Sequence, residues 1–224
     1  MHTFLNFIPS YKLETDKMDA ETKIARAKTR LVLDHPFWGS LVLGTPFYKD
    51  DVPTMCTDGQ CIKWGAEFVD KCTDKETPFV IAHEICHIFL KHCTPIKEID
   101  GKPADAELMN ISMDYVINAM LIEANVGDMP EGGLYAPEHS GKTWLQVYRE
   151  LSKMDADKRP KPQQWGGNVG TPKDDSGNEL QGSELDQFNA KLDQRIFLAA
   201  NGAKSVGKLP AKIAELVNKM RRSN

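Results

Sequence analysis

The stretch that decides this fold is His83-Glu84-Ile85-Cys86-His87, in an apolar, helix-forming run over residues 77–93. Residues four apart share one face of a helix, so His83 and His87 can bind the same ion. Neutral imidazole nitrogens bind zinc at about 2.0–2.1 Å, and two ligands one turn apart fit that geometry. Glu84 lies beside the pair, where a carboxylate can accept a proton from metal-activated water. The alternative is two core histidines next to a solvated glutamate.

The composition predicts an ordinary globular chain, with 41% hydrophobic residues, 27% charged residues and a net charge of −4 over 224 residues. That charge gives no basic footprint for nucleic acid. No apolar run approaches the roughly 20 residues that a membrane span needs, and the N-terminus lacks the features of a signal peptide. The five cysteines, an odd number, favour reduced thiols over a disulfide framework. We therefore expect a cytoplasmic protein that binds neither nucleic acid nor membrane.

The hydrophobic pattern predicts an α+β fold that is mainly helical, with a small sheet and a central helix carrying the motif. A first helix is expected over Asp16–Leu33, ended by Asp34-His35-Pro36. The short apolar run Ser40–Leu43 lies between two glycines and predicts a buried strand. Asp58-Gly59 predicts a two-residue turn in a hairpin over Thr54–Trp64. His92, at the end of the central helix, is expected to be a helix-end cation.

A second long helix is predicted from about Ala104 to Asn125, apolar almost all round and therefore buried. One line of polar residues interrupts it at three- and four-residue steps: Glu107, Asn110, Asp114 and Asn118. Burying such a line costs free energy unless each group has a partner. A metal and the groups that orient its ligands would supply those partners. The alternative is a polar stripe that reaches solvent in a groove.

The chain divides into three predicted segments. Residues 1–154 form the main domain, and residues 183–224 form a helical segment that packs on it or extends it. Residues 155–182 are low in apolar side chains and rich in Pro, Gly, Asp, Lys and Gln, which predicts a flexible linker or surface loop. Trp165 is its exception, and we expect this side chain to dock on the domain. Whether the segment covers the groove as an inhibitory lid stays open at this stage.

Several motifs, taken in order, resemble the zincin-like metallopeptidase domain family of bacteria and phages, which often precedes a von Willebrand factor A-like domain. The resemblance rests on Ala25–Gly39 (ARAKTRLVLDHPFWG), Thr57-Asp58-Gly59, the central HEICH and Asn110–Asn118 (NISMDYVIN). It covers about residues 20 to 150. It implies a zincin-like metallopeptidase fold with a zinc ion.

The resemblance implies the same site residues as the spacing. His83 and His87 would be zinc ligands, and Glu84 would be the general base. Asp114 lies in the middle of the family's N-x-x-x-D-x-x-x-N line and is the first choice as third metal ligand. Glu107 is the alternative, because a glutamate at this separation is the third ligand in other zincins.

The expected activity is zinc-dependent hydrolysis of a peptide bond in a cytoplasmic protein, with a protein or peptide as substrate. In zincins a substrate commonly lies along an edge strand, and the Thr54–Trp64 hairpin could supply one. Tyr135 and His139 lie in a predicted rim loop and are candidate donors to the oxyanion. One alternative is a non-catalytic, zinc-stabilised module that binds a partner protein, such as an ATPase or an A-like domain. Another is an amide or isopeptide hydrolase with a small or modified substrate.

Overall fold

The computed structural model describes residues 18–167 and 169–223 and has the expected α+β architecture. Its helices and strands are, in chain order, α1 (Ala20–Asp34), α2 (Pro36–Leu43), β1 (Phe47–Lys49), β2 (Met55–Thr57), β3 (Ile62–Trp64), α3 (Ala66–Lys71), α4 (Glu76–Phe89), β4 (Glu98–Ile99), β5 (Lys102–Pro103), α5 (Ala106–Glu123), α6 (Trp144–Leu151), α7 (Gly182–Ser205) and α8 (Ala211–Ser223). The predicted start of the first helix at Asp16 lies outside the described residues.

Helix α4 lies at the centre of the molecule, and every residue from Thr77 to Phe89 is buried. A helix that is surrounded on all sides is mostly apolar, and His83, Glu84 and His87 are the buried ionisable exceptions in α4. α1, α2 and α5 pack against it. α1 contributes the buried stripe Ala20, Ile24, Ala27 and Leu31 at helical spacing.

A pair of hydrogen bonds joins Thr73 and Glu76 at the start of α4. Glu76 N–H donates to Thr73 Oγ1 (3.2 Å), and Thr73 N–H donates to Glu76 Oε2 (2.7 Å). This reciprocal pair is a capping box, which satisfies two backbone donors at the helix start. Pro78 lies in the first turn, where its missing N–H costs nothing.

The predicted strand at Ser40–Leu43 is wrong, because these residues form the second half of α2. Pro36 ends α1 as expected but also begins α2, where proline suits the first helical position. A Cβ on Gly39 would overlap the backbone of Val32 in α1, so this glycine allows the two helices to cross closely. The run is too short for periodicity to separate a buried helix from a buried strand.

The predicted hairpin is confirmed as β2 and β3, which pair antiparallel. Its connection is a four-residue loop rather than a two-residue turn, and Asp58 Oδ1 accepts hydrogen bonds from the N–H groups of Gln60 (2.9 Å) and Cys61 (3.0 Å). β1 pairs parallel with the other side of β3, so the strand order is β1-β3-β2 and β2 is an edge strand. This edge lies beside α4.

The residues after 154 also contribute to the core. Leu192 and Ile196 of α7 and Ile213 and Val217 of α8 belong to the same buried cluster as the side chains of α4. Within residues 155–182, Trp165 is buried against the domain, as expected. The division into three segments stays a prediction.

The cysteines and the helix lengths of the protein agree with the composition. All five cysteines are free. Across residues 18–167 and 169–223, no helix is both long enough and apolar enough to cross a membrane.

Candidate metal centre

Three side-chain atoms converge where α4 and α5 meet. His83 Nε2 lies 3.1 Å from His87 Nε2 and 3.3 Å from Asp114 Oδ1. His87 Nε2 lies 3.2 Å from the same carboxylate oxygen. All three side chains are about 1% exposed, and they form the one group of His, Cys, Asp and Glu in the described part of the chain that could hold an ion.

The size of this triangle fits a zinc ion. Ligand atoms bound tetrahedrally at about 2.0–2.1 Å lie about 3.3 Å from one another. The three distances of 3.1, 3.2 and 3.3 Å match this spacing. The three atoms would therefore take three corners of a tetrahedron and leave the fourth corner free.

The peptide groups of Leu134 fix the tautomer of His83. Leu134 N–H donates to Gln163 Oε1 (3.3 Å), and Leu134 C=O accepts from Asn118 Nδ2 (2.9 Å). Since the amide nitrogen of Asn118 faces these acceptors, its Oδ1 faces His83 Nδ1 at 2.9 Å. His83 must therefore donate from Nδ1, and Nε2 presents a lone pair to the centre.

The C-terminal turn of α4 brings His92 back against His87. Lys91 has a positive φ of 58°, and the N–H groups of Lys91 and His92 donate to the carbonyls of Ile88 (3.0 Å) and His87 (2.9 Å). This is the Schellman arrangement, with lysine at the position that glycine usually takes. His92 Nδ1 thus lies 3.2 Å from His87 Nδ1.

His92 is not the helix-end cation that the sequence predicts. It is buried, and burial together with the neighbouring His87 lowers its pKa well below the ordinary value. A neutral His92 can accept the Nδ1 proton of His87, which turns the Nε2 lone pair of His87 toward the centre. Burial also lowers the pKa of His87 and favours the neutral form that binds metals.

Asp114 completes the set of acceptors. Its Oδ2 accepts a hydrogen bond from Asn110 Nδ2 (3.3 Å), whereas its buried Oδ1 has no hydrogen-bond donor among the described residues. When His87, like His83, carries its proton on Nδ1, three acceptor atoms face one another with no proton between them. Such an arrangement is costly in a buried site unless a cation joins it. The donor set therefore fits a metal ion.

Glu84 follows His83 on α4 and is 2% exposed. Burial, and after it the negative charge of Asp114, raises the pKa of this carboxyl well above its ordinary value. Such a group holds a proton readily, and a nearby dication would favour its ionised form. Glu84 can therefore move between the two states that a general acid–base group needs.

The other predicted residues lie outside the triangle. Glu107 is exposed in the first turn of α5, so the polar line of this helix runs from solvent to the buried Asn118. Tyr135 is 45% exposed, and the ring of His139 packs on Tyr115 with 4.8 Å between centroids.

Two residues of the predicted linker come to the site, and the sequence indicated the docking of only one of them. Gln163 is buried, and its Nε2 lies 3.4 Å from His83 Nε2. Trp165 packs its ring edge-on against His83, with 5.2 Å between centroids. Only the lone aromatic character of Trp165 pointed to docking.

The family model described as "Putative metallopeptidase domain" matches residues 19–224. The chain belongs to this family. The match continues to residue 224, well past the region of about 20 to 150 that carries the resemblance in the sequence. No curated protein and no solved structure matched the chain. Membership of a metallopeptidase family and the buried His-His-Asp group together indicate a metal-binding centre.

Proposed function

We propose that this protein is a zinc-dependent peptidase that hydrolyses peptide bonds in a cytoplasmic protein. The observation that carries the proposal is the triangle of His83, His87 and Asp114, whose dimensions fit three ligands of a tetrahedral zinc, next to the buried carboxyl of Glu84. Two histidines, one carboxylate and a free fourth position are typical of hydrolytic zinc sites rather than structural ones.

Each residue has a distinct task in this proposal. His83, His87 and Asp114 would hold the zinc, and zinc when bound lowers the pKa of a water to about 7 and polarises a carbonyl. Glu84 would take the proton of the attacking water and pass it to the leaving amine. Asn118 and His92 would keep the two imidazoles in the orientation that binding requires.

Of the two candidate donors to the oxyanion, we favour Tyr135. It follows Leu134, whose peptide groups contact Asn118 and Gln163 beside the centre. His139 is instead held against Tyr115. Replacing Tyr135 by Phe should lower kcat by about 100-fold with metal content unchanged, and an unchanged kcat would exclude this role.

The test of the proposal is Glu84→Gln, with Glu107→Gln as a matched control on an exposed glutamate. Peptide libraries or cell-extract proteins are incubated with each zinc-loaded protein, and new termini are identified by mass spectrometry. Glu84→Gln should keep its zinc and lose at least about 100-fold in rate, because general acid–base catalysis contributes that much or more. Glu107→Gln should match the wild type. Equal activity of all three proteins would exclude Glu84 as the base.

His83, Glu84, His87 and Asp114 are almost completely buried. This burial favours one alternative function, a protein-binding module without catalytic activity that a metal ion stabilises. Its groove would hold a partner protein, such as an ATPase or an A-like domain. Under this alternative, removal of zinc lowers stability, no substrate is cleaved, and partner binding survives Glu84→Gln. Under the peptidase proposal, Glu84→Gln separates binding from cleavage.

A further inference from the structure

The candidate centre is closed in this structure. His83, His87 and Asp114 are each 1% exposed, and Glu84 is 2% exposed. A peptide bond must come into contact with the metal and Glu84 for hydrolysis, so some part of the protein has to move away first.

A segment of the predicted linker, residues 162–167 and 169–170, lies against the centre on the side of His83, and we name it the strap. Its side chains reach the centre directly: Gln163 Nε2 lies 3.4 Å from His83 Nε2, and Trp165 packs on His83 and on Phe79, with 5.2 and 6.0 Å between ring centroids. Gln163 and Trp165 are 5% and 3% exposed.

The strap also occupies the free edge of the sheet. Gly166 forms a parallel β-bridge with Met55 of β2, and Gly170 N–H donates to Thr57 C=O of the same strand at 2.8 Å. An extended peptide binds a protein by adding itself to such an edge strand through backbone hydrogen bonds. The strap therefore lies where an extended substrate would pair.

Close approach between the strap and β2 requires glycine. A Cβ on Gly167 would lie 2.5 Å from Cys56 Cβ and 2.6 Å from Met55 C=O. The backbone of the strap thus lies directly against the backbone of the edge strand, as a bound peptide backbone would.

We propose that the strap is an autoinhibitory segment, which occupies the place of an extended peptide substrate on β2 and leaves it before cleavage. The inference rests on the proposed peptidase function. The substrate then takes over the pairing with β2, and the metal and Glu84 become accessible.

The contacts of the strap suit a segment that can leave. Trp165 Nε1 is buried without a hydrogen-bond partner in the described part of the chain, which costs free energy in the closed state. A cavity of about 520 Å³ is lined both by Pro162 and Val169 of the strap and by Met109 and Met113 of α5. Irregular backbone outside regular helices and strands is typical of regions that open locally.

A disulfide lock tests the proposal. A Cβ on Gly170 lies 3.2 Å from Asp58 Cβ, so a shift of a few tenths of an ångström reaches the Cβ separation of about 3.5–4.5 Å that a disulfide needs. The variant Asp58→Cys/Gly170→Cys ties the strap to the loop after β2. Cys56→Ser and Cys61→Ser in the background prevent mispairing.

The matched control is Lys173→Cys/Glu179→Cys in the same background. These two residues face each other in an antiparallel bridge within residues 171–180, so their disulfide leaves the strap untied. Both proteins are loaded with zinc and compared oxidised and reduced. The two readouts are the rate of peptide hydrolysis and the rate of zinc transfer to a chromogenic chelator.

Oxidation should lower both rates by at least about 10-fold in the locked protein, and reduction should restore them, whereas the control should not respond. Equal rates in the oxidised and reduced locked protein would overturn the proposal. If none of the proteins hydrolyses peptide, the proposed function fails, and the zinc-transfer rates still decide whether the strap moves.

Hydrogen exchange measures whether the strap opens, and this experiment needs neither bound metal nor peptide hydrolysis. Strap amides should exchange at least about 10-fold faster than amides of α4. Trp165→Ala should accelerate strap exchange further without changing α4, and Trp144→Ala in α6 should leave the strap unchanged. Strap amides as slow as those of α4 in all three proteins would show a fixed element of the fold and contradict the proposal.

Discussion

Asn118 determines which nitrogen of His83 faces the centre, and His92 can do the same for His87. Asn118 Oδ1 accepts from His83 Nδ1 at 2.9 Å, and Leu134 fixes the orientation of that amide. Burial lowers the pKa of His92 well below its ordinary value, and the Nδ1 atom of this ring lies 3.2 Å from His87 Nδ1. Residues that hold ligands in this way contribute strongly to metal affinity although they do not touch the metal.

Asn118→Ala should therefore weaken zinc binding by about 10- to 100-fold. Asn118→Asp should retain more of the affinity, because its carboxylate still accepts the proton of His83 Nδ1. Competition with a chelator of known affinity measures the dissociation constant of each folded variant. Unchanged affinity in Asn118→Ala would mean that the tautomer of His83 does not depend on this contact.

The sequence predicts part of this site, and the reason differs for each residue. His83, His87 and Glu84 follow from helical spacing within one segment. Asp114 lies on a polar line of a buried helix, and the family resemblance singles it out from that line. His92 could not be predicted, because a turn with positive φ at Lys91 folds it back on the helix. Gln163 could not be predicted either, since it reaches His83 from 80 residues further along the chain.

At the scale of elements, the crossing of α1 and α2 depends on one residue. Gly39 presents only hydrogen where any Cβ would overlap the backbone of Val32. A short apolar run between two glycines predicts a strand. The sequence does not show that Gly39 lies against another helix, so it gives no reason to expect a helix instead. The structure shows that this glycine serves helix packing instead.

Gly39→Ala should lower the free energy of unfolding by about 1–3 kcal/mol, since the added methyl forces the two helices apart. Gly202→Ala is the matched control, because Gly202 lies inside α7 and a Cβ there meets nothing within 4 Å. Helix propensity predicts that this control gains about 0.5–1 kcal/mol. Chemical denaturation measures both values, and an unaffected Gly39→Ala protein would contradict the close crossing.

At the scale of the whole molecule, α7 and α8 contribute to one core with α4. Ile196 is fully buried in that core, and Asp193 forms an ion pair with Lys91 at the end of α4 (2.8 Å). The polar composition of residues 155–182 predicts a boundary between two segments. Composition does not show that side chains on the two sides of this boundary pack against each other. We propose that residues 183–224 fold together with the main domain.

Ile196→Ala should lower the free energy of unfolding by about 2–5 kcal/mol, as for other buried aliphatic truncations. Leu198→Ala, at a side chain that is 70% exposed, should stay within about 0.5 kcal/mol of the wild type. Denaturation followed by circular dichroism and by zinc release should give one shared transition. Two separate transitions would show that the C-terminal segment unfolds independently.

The central claim is that His83, His87 and Asp114 hold one metal ion. Elemental analysis of purified wild type, His83→Ala, Asp114→Ala and Glu107→Ala tests it most directly. We predict about one zinc per chain in the wild type and in Glu107→Ala, and loss of zinc in the other two variants, since only their side chains belong to the triangle. Loss in Glu107→Ala with retention in Asp114→Ala would exchange the roles of the two carboxylates. Absence of metal from every sample, even after zinc is added, would contradict the account.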